Sequence, residues 1–156
     1  MIKTERLIIE PLTYKELLRY VFSRKGSVIT DEDEAWTKES VLDPMFGAKE
    51  KDHIFYTFWK AKNEKGEEVG DIGLKGPPNE FGVVEVGYHV FEQFRNNGYA
   101  TEMIKGFIEW AKELKIVHFI CAAVDFGNSF SEKALLKNGF KMINKTENQY
   151  IFILQI

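Results

Sequence analysis

The stretch Val83-Val84-Glu85-Val86-Gly87-Tyr88-His89-Val90-Phe91-Glu92-Gln93-Phe94-Arg95-Asn96-Asn97-Gly98-Tyr99-Ala100-Thr101 decides the fold, because its period changes midway. Residues 83–90 are rich in β-branched side chains and read as a strand. Beyond Gly98 the apolar residues Ala100, Met103, Ile104, Phe107, Ile108, Ala111 and Leu114 recur at helical spacing. Thr101, Glu102, Lys105, Glu109 and Lys112 fall largely on the other side, so this helix buries one face. Between strand and helix lies Arg95 to Thr101, a turn in which Gly98 allows a tight bend.

Upstream, Arg6 to Pro11 reads as a short strand ended by proline. Thr13 and Glu16 have the form of a capping box, opening a helix through Leu17, Leu18, Val21 and Phe22. Thr30 to Glu34 is predicted to open a second helix carrying Trp36, Val41 and Leu42, its acidic run complementing the helix dipole. The aromatic-rich run His53 to Ala61, then Val69 to Leu74, then Val83 to Val90 read as three strands joined by turns, an antiparallel meander. Downstream, Ile116 to Val124 reads as a buried strand. Ser129 and Glu132 suggest a capping box for a helix ending near Asn138-Gly139. Phe140 to Ile143 and Tyr150 to Ile156 read as closing strands. The chain is therefore predicted to be α/β, with a right-handed strand–helix–strand crossover over residues 83–124.

Bulk properties narrow the class. A length of 156 residues suits a single domain over 1–156 with one sizeable core. A formal net charge of −3 argues against a nucleic-acid binder. The three histidines have no metal-ligand spacing, so no metal is expected. The single cysteine, Cys121, forbids an intrachain disulfide and reads as an inert, buried thiol. The opening residues lack the apolar core of a signal peptide, and no run is long enough to span a bilayer, so a cytoplasmic protein without membrane contact is expected. Trp36, Trp59 and Trp110 read as core or cleft wall.

Chemistry enters at the turn. A helix leaves its first N–H groups without intrahelical partners, and its dipole puts positive charge there. A glycine loop feeding such a helix makes an anion site of diphosphate size. Taken alone, the same residues also describe an ordinary strand-to-helix turn.

The order of the parts is more specific. A strand with Glu85 and Gly87, the turn Arg95-x-x-Gly98-x-Ala100, an amphipathic helix, a strand, Asn128-x-x-Ser131 and Asn138-Gly139-Phe140 together resemble the GNAT superfamily of acyl-CoA-dependent acetyltransferases. The opening Thr4-Glu5-Arg6-Leu7-Ile8-Ile9-Glu10-Pro11-Leu12 and Glu85-Val86-Gly87-Tyr88 look like its branch of ribosomal-protein N-terminal (alanine/serine) acetyltransferases. The resemblance implies a GNAT fold, a mixed and mostly antiparallel sheet with a central strand–helix–strand unit that binds acyl-CoA. It implies acetyl-CoA as co-substrate and a primary amine, on a protein N-terminus or a small molecule, as acceptor. A homodimer is compatible with it.

Carried onto this sequence, the resemblance assigns the coenzyme diphosphate to Arg95, Asn96, Asn97, Gly98, Tyr99, Ala100 and Thr101. It assigns the pantetheine arm to Tyr88, His89 and Val90, with an N–H of His89 or Val90 facing the thioester carbonyl, and a further contact to Asn128. In the family this strand carries a bulge and splays from its neighbour, and Gly87 is compatible with a bulge. Two catalytic candidates follow. Glu85 either takes the proton of the acceptor amine or merely faces solvent from an alternating strand. Ser131 either assists the departing thiolate or makes a local bond within a helical turn. Leu135 holds the position of the tyrosine that many family members offer to the thiolate. That departure keeps open a second reading, a non-catalytic acyl-CoA sensor or interaction module.

Overall fold

The computed structural model describes residues 1–23 and 35–156. Eight strands form one sheet: β1 (Ile2–Lys3), β2 (Leu7–Pro11), β3 (Phe58–Asn63), β4 (Glu68–Leu74), β5 (Val83–Val90), β6 (Phe119–Asp125), β7 (Lys141–Lys145) and β8 (Gln149–Gln155). Their spatial order is β1-β2-β3-β4-β5-β6-β8-β7. Every neighbouring pair is antiparallel except β5 and β6. That parallel pair needs a crossover, supplied by α3 (Tyr99–Glu113). Other helices among the described residues include α1 (Tyr14–Ser23), α2 (Asp43–Gly47) and α4 (Ser129–Lys137).

The apolar stripe read from the sequence becomes the buried side of α3: Met103, Ile104, Phe107, Ile108 and Ala111. It packs with Val84, Val86, Ile72, Ile120 and Phe152 from the sheet in one cluster. Trp59 anchors this cluster, with its ring centroid 5.5 Å from Phe107 and 4.6 Å from Trp110. A second, smaller cluster joins Leu17 of α1 to Val41, Leu42 and Met45, with Phe58 of β3 packed against it.

Three expectations need correcting. The strand predicted from His53 begins only at Phe58, because Glu50–Phe55 coils into a tight 3₁₀ turn. Trp59 fastens that turn by donating its indole N–H to the Ile54 carbonyl at 3.1 Å. The strand predicted from Ile116 begins at Phe119, because Lys115 takes a left-handed φ of 59° after the helix. The cap of α4 is Asn128, whose side chain accepts from the Ser131 N–H, rather than Ser129. The capping box of α1 is made as predicted, with Thr13 N–H and Oγ1 donating to Glu16 at 2.8 and 2.7 Å. Of the second predicted helix, the opening at Thr30–Glu34 lies outside the described residues. Its later part is a π-helical turn, Lys38–Leu42, that runs into α2. Trp36 is 52 % exposed, its ring stacked 6.4 Å from Phe58.

Candidate active site

β5 changes partner along its length, pairing with β6 over Val83–Glu85 and with β4 over Val86–Val90. Its partners on β6 run from Val83↔Phe119 to Glu85↔Cys121, and there the ladder ends. On the β4 side the pairing continues to Gly70↔Val90 without a register shift. The two parallel strands thus part after Glu85, and the gap opens without the bulge that Gly87 suggested. The reason is local: β6 stays paired with β8 through Asp125, while β5 stays with β4.

The second half of β5 has a vacant edge. The Lys75 N–H donates to the Glu85 carbonyl and the Phe91 N–H to the Val69 carbonyl. By the alternation of an antiparallel ladder, Glu85, Gly87 and His89 therefore bond toward β4, whereas Tyr88 and Val90 turn their amides to the gap. Between the two amides expected near a thioester, His89 is occupied and Val90 is presented. The Val90 carbonyl on the same edge accepts from Arg95 Nε at 3.2 Å.

A cleft of about 580 Å³ runs from this edge to the head of α3. It is lined by Tyr88, His89, Val90, Arg95, Asn96, Gly98, Tyr99, Ala100, Thr101, Asn128 and Ser131. Of the expected coenzyme residues, Asn97 alone is not on its wall. Its side chain instead braces the turn from within, donating to the Phe94 and Arg95 carbonyls at 3.1 Å. Gly98 caps α3 with a φ of +79°, and Asn96 is also left-handed at 64°. The first intrahelical bond runs from the Glu102 N–H to the Gly98 carbonyl, which leaves the amides of Tyr99, Ala100 and Thr101 at the open helix end. That end is suited to an anion.

The far wall is α4. Tyr88 donates its hydroxyl to the Ser131 carbonyl at 3.1 Å, tying β5 to the head of α4. Burial pushes the Tyr88 phenol above its usual value, partly offset by that bond. Leu135 is fully buried in the core and offers nothing to the cleft. Phe94, Phe130, Lys133, Ala134 and Lys137 also line it, and sequence reading missed them. Residues 130, 133, 134 and 137 follow the i, i+3, i+4, i+7 spacing of one face of α4, so helical spacing counted from Phe130 links them. A larger cleft of about 710 Å³ lies on the other flank of α3, between Met1–Arg6 and residues such as Lys105 and Glu109. Size does not select the site here; the turn and the vacant strand edge do.

Glu85 lies elsewhere. It shares the opposite face of β5 with Gly87 and is held in an ion pair with Lys75. Across the ladder is Cys121. Burial first, and then the Glu85 charge, raises the Cys121 thiol, which argues against a thiolate. At the mouth of the cleft, burial and then the Arg95 charge lower His89, favouring its neutral form. Glu85 and Ser131 thus stand on different faces of the sheet, and the gap between β5 and β6 is what separates them.

Among the described residues no group of three or more His, Cys, Asp or Glu is arranged to hold a metal ion. No described helix is long and apolar enough to cross a membrane.

The sequence profile of the acetyltransferase (GNAT) domain matches residues 6–141. The uncharacterized N-acetyltransferase YjdG of Bacillus subtilis (strain 168) is 34 % identical over 85 residues, covering 54 % of this chain and 51 % of that protein. The match thus spans about half the length of this curated relative. Among solved structures, the ribosomal-protein-S5-alanine acetyltransferase of Vibrio fischeri superposes with a TM-score of 0.73 at 14 % identity, covering 98 % and 94 % of the two chains. RimL, a ribosomal L7/L12 α-N-protein acetyltransferase in complex with coenzyme A, superposes with a TM-score of 0.67 at 11 % identity over 98 % and 96 %. At these identities the superpositions speak to the fold.

Proposed function

The chain belongs to the GNAT acetyltransferase family, and from that premise we propose that it transfers the acetyl group of acetyl-CoA to a primary amine, with the α-amine of a protein N-terminus as the favoured acceptor. The observation that carries this reading is the cleft that joins the open end of α3 to the vacant edge of β5. The amides at residues 99–101 and the Arg95 guanidinium offer a diphosphate several donors. The gap edge of β5 offers an extended arm a strand to lie against, and the Val90 N–H can stabilise a developing oxyanion.

The amine nitrogen attacks the thioester carbonyl carbon; a C–N bond forms, the C–S bond breaks, and coenzyme A leaves as the thiolate. The attacking nitrogen sheds a proton, which Glu85 accepts directly or through water on the face of β5 away from the cleft. Ser131 stands at the head of α4 as a hydroxyl for the departing sulfur. This acid–base equipment is light, since Leu135 replaces the tyrosine and Lys75 already holds Glu85. An α-amine, with a pKa of roughly 7.7–8, needs little help near neutral pH, whereas a lysine amine near 10.4 needs much more. The ribosomal-protein acetyltransferases among the structural neighbours agree with that preference.

Release of free coenzyme A from acetyl-CoA tests the reading, using peptides with a free N-terminus, the same peptides with a blocked N-terminus, and peptides whose only amine is a lysine. Turnover that requires the free α-amine supports it. Turnover only with lysine amines would overturn the acceptor assignment. Calorimetric binding of acetyl-CoA with no turnover on any amine would favour the sensor, for which the buried Leu135 is the structural argument.

A further inference from the structure

The opening Thr4-Glu5-Arg6-Leu7 has so far entered only through a resemblance, and the chemistry above leaves it unused. It forms the turn between β1 and β2, and it is bound to the first turn of α3, where Glu102 lies 96 residues from Arg6 in sequence. Glu102 Oε1 accepts from Thr4 Oγ1 at 2.6 Å and from the Arg6 N–H at 2.7 Å. Glu102 Oε2 accepts from Arg6 Nε at 2.8 Å and lies 2.7 Å from Nη2, so one carboxylate oxygen takes both nitrogens of that edge of the guanidinium. The remaining prong of Arg6 reaches the coenzyme turn itself. Nη1 donates to the Asn97 carbonyl at 3.0 Å, and the guanidinium lies 4.8 Å from the centroid of the Tyr99 ring. A Cβ built on Gly98 would sit 3.5 Å from Nη2.

Every one of these contacts to the turn falls between Asn97 and Tyr99. This is where the backbone holds left-handed conformations at Asn96 and Gly98 on either side of Asn97. Gly98 adopts its conformation at little cost, but Asn96 carries a Cβ, and a non-glycine residue in that region is held there by its surroundings. The Asn97 side chain supplies local bonds, and Arg6 supplies the long-range one. There is also an electrostatic need. Glu102 puts a negative charge in the first turn of the helix that would receive a diphosphate. The ion pair with Arg6 cancels that charge where it would otherwise repel the ligand.

We propose that Arg6 and Glu102 are positioning residues, which with Thr4 hold the Arg95–Thr101 turn in the shape and charge state that admits the coenzyme diphosphate. The inference rests on the acetyl-CoA reading given above. It concerns binding and not the chemical step, so its signature is a split between KM and kcat. Arg6→Gln should raise the Kd and KM for acetyl-CoA about tenfold, the size of one charge-assisted hydrogen bond lost. It should leave kcat within about twofold and the KM of the acceptor unchanged. Arg6→Lys keeps the charge beside Glu102 but cannot span both Glu102 and Asn97, so it should fall between the two. Arg6→Gln/Glu102→Gln should bind acetyl-CoA better than Arg6→Gln, since it removes the uncancelled carboxylate.

These are measured by calorimetry and initial rates on protein whose melting curve shows it folded, and Arg6→Lys carries the test if Arg6→Gln does not fold. Parental acetyl-CoA affinity in either folded single variant, or a fall in kcat at unchanged KM, overturns the positioning role. The two readings fail differently. A parent chain with no affinity for acetyl-CoA overturns both, whereas a parent that binds and an Arg6 variant that binds equally well overturns only this one.

Discussion

β5 has two faces, and they are furnished very differently. On the helical side, Val84 and Val86 are buried in the core, Tyr88 reaches α4, and the strand edge leads to a turn held by Arg6, Asn97 and Glu102. On the other side, Glu85 has Lys75 for a partner and Cys121 for a neighbour. The first face is specified by many mutually dependent backbone and side-chain contacts; on the second, Glu85 is held by a half-exposed ion pair. A coenzyme common to a whole family can be met by fixed backbone. An acceptor that differs from one member to the next is met by side chains free to change.

The comparison is broken most severely at Gly98. Its φ of +79° costs a residue with a Cβ about 1–2 kcal/mol, and a β-branched one more. A Cβ there meets Arg6 Nη2 at an ordinary 3.5 Å, so the strain is conformational and not a clash. Gly98→Val is expected to weaken acetyl-CoA binding by about 100-fold through strain and loss of close backbone approach. Calorimetry on folded protein checks it, and binding within threefold of the parent would remove the turn from the site.

On the opposite face, Glu85→Gln should leave acetyl-CoA affinity unchanged and lower turnover by roughly 10²-fold if the carboxylate is the base. The loss should shrink as pH rises and the amine deprotonates unaided. A pH-independent defect, or none, would reduce Glu85 to a partner of Lys75.

Ser131→Ala is expected to be milder. A serine hydroxyl helps the thiolate as a hydrogen-bond donor and not as a strong acid, so turnover should fall about tenfold with acetyl-CoA affinity intact. If instead the melting temperature drops and turnover per folded molecule holds, the hydroxyl is structural.

The smallest effect is one of stability. Burial pushes the Glu102 carboxyl up, but bonds from Thr4 and from the Arg6 N–H and guanidinium outweigh it and hold the group below its ordinary value. A carboxylate with a depressed folded pKa contributes stability above its unfolded pKa, roughly 4.3, and loses it as pH falls through the lower folded value. Acidification from about pH 5 to below the folded value should therefore lower the melting temperature of the parent by more than that of Glu102→Gln. Equal acid sensitivity in the two proteins would show that the brace adds no pH-linked stability.

Much of the fold was legible because the signals were short-range. The 3.6-residue stripe of α3 and the run Val83–Val90 survive into the structure with their bounds almost unchanged. His53 to Phe55 misled because aromatic content signals a buried surface rather than a strand, and the Trp59–Ile54 bond rewards a coil there. In the site, the turn was readable from Gly98 and its helix. The Phe130–Lys137 wall carried a readable spacing, but it starts at Phe130, and the Asn128-x-x-Ser131 pattern points to a different side of the helix.

By itself the sequence determined the order of elements, the change of period at Gly98 and the open, glycine-capped helix head, because dihedral preference and periodicity act over a few residues. Only the tertiary structure decided which strand edge stands vacant, which face carries Glu85, and that Arg6 closes on Glu102 and Asn97. Each of these depends on where β6 leaves β5 and where β1 and β2 meet α3. Such meetings join residues far apart in the chain, and the packing of the whole sheet sets them, with no local preference to announce them.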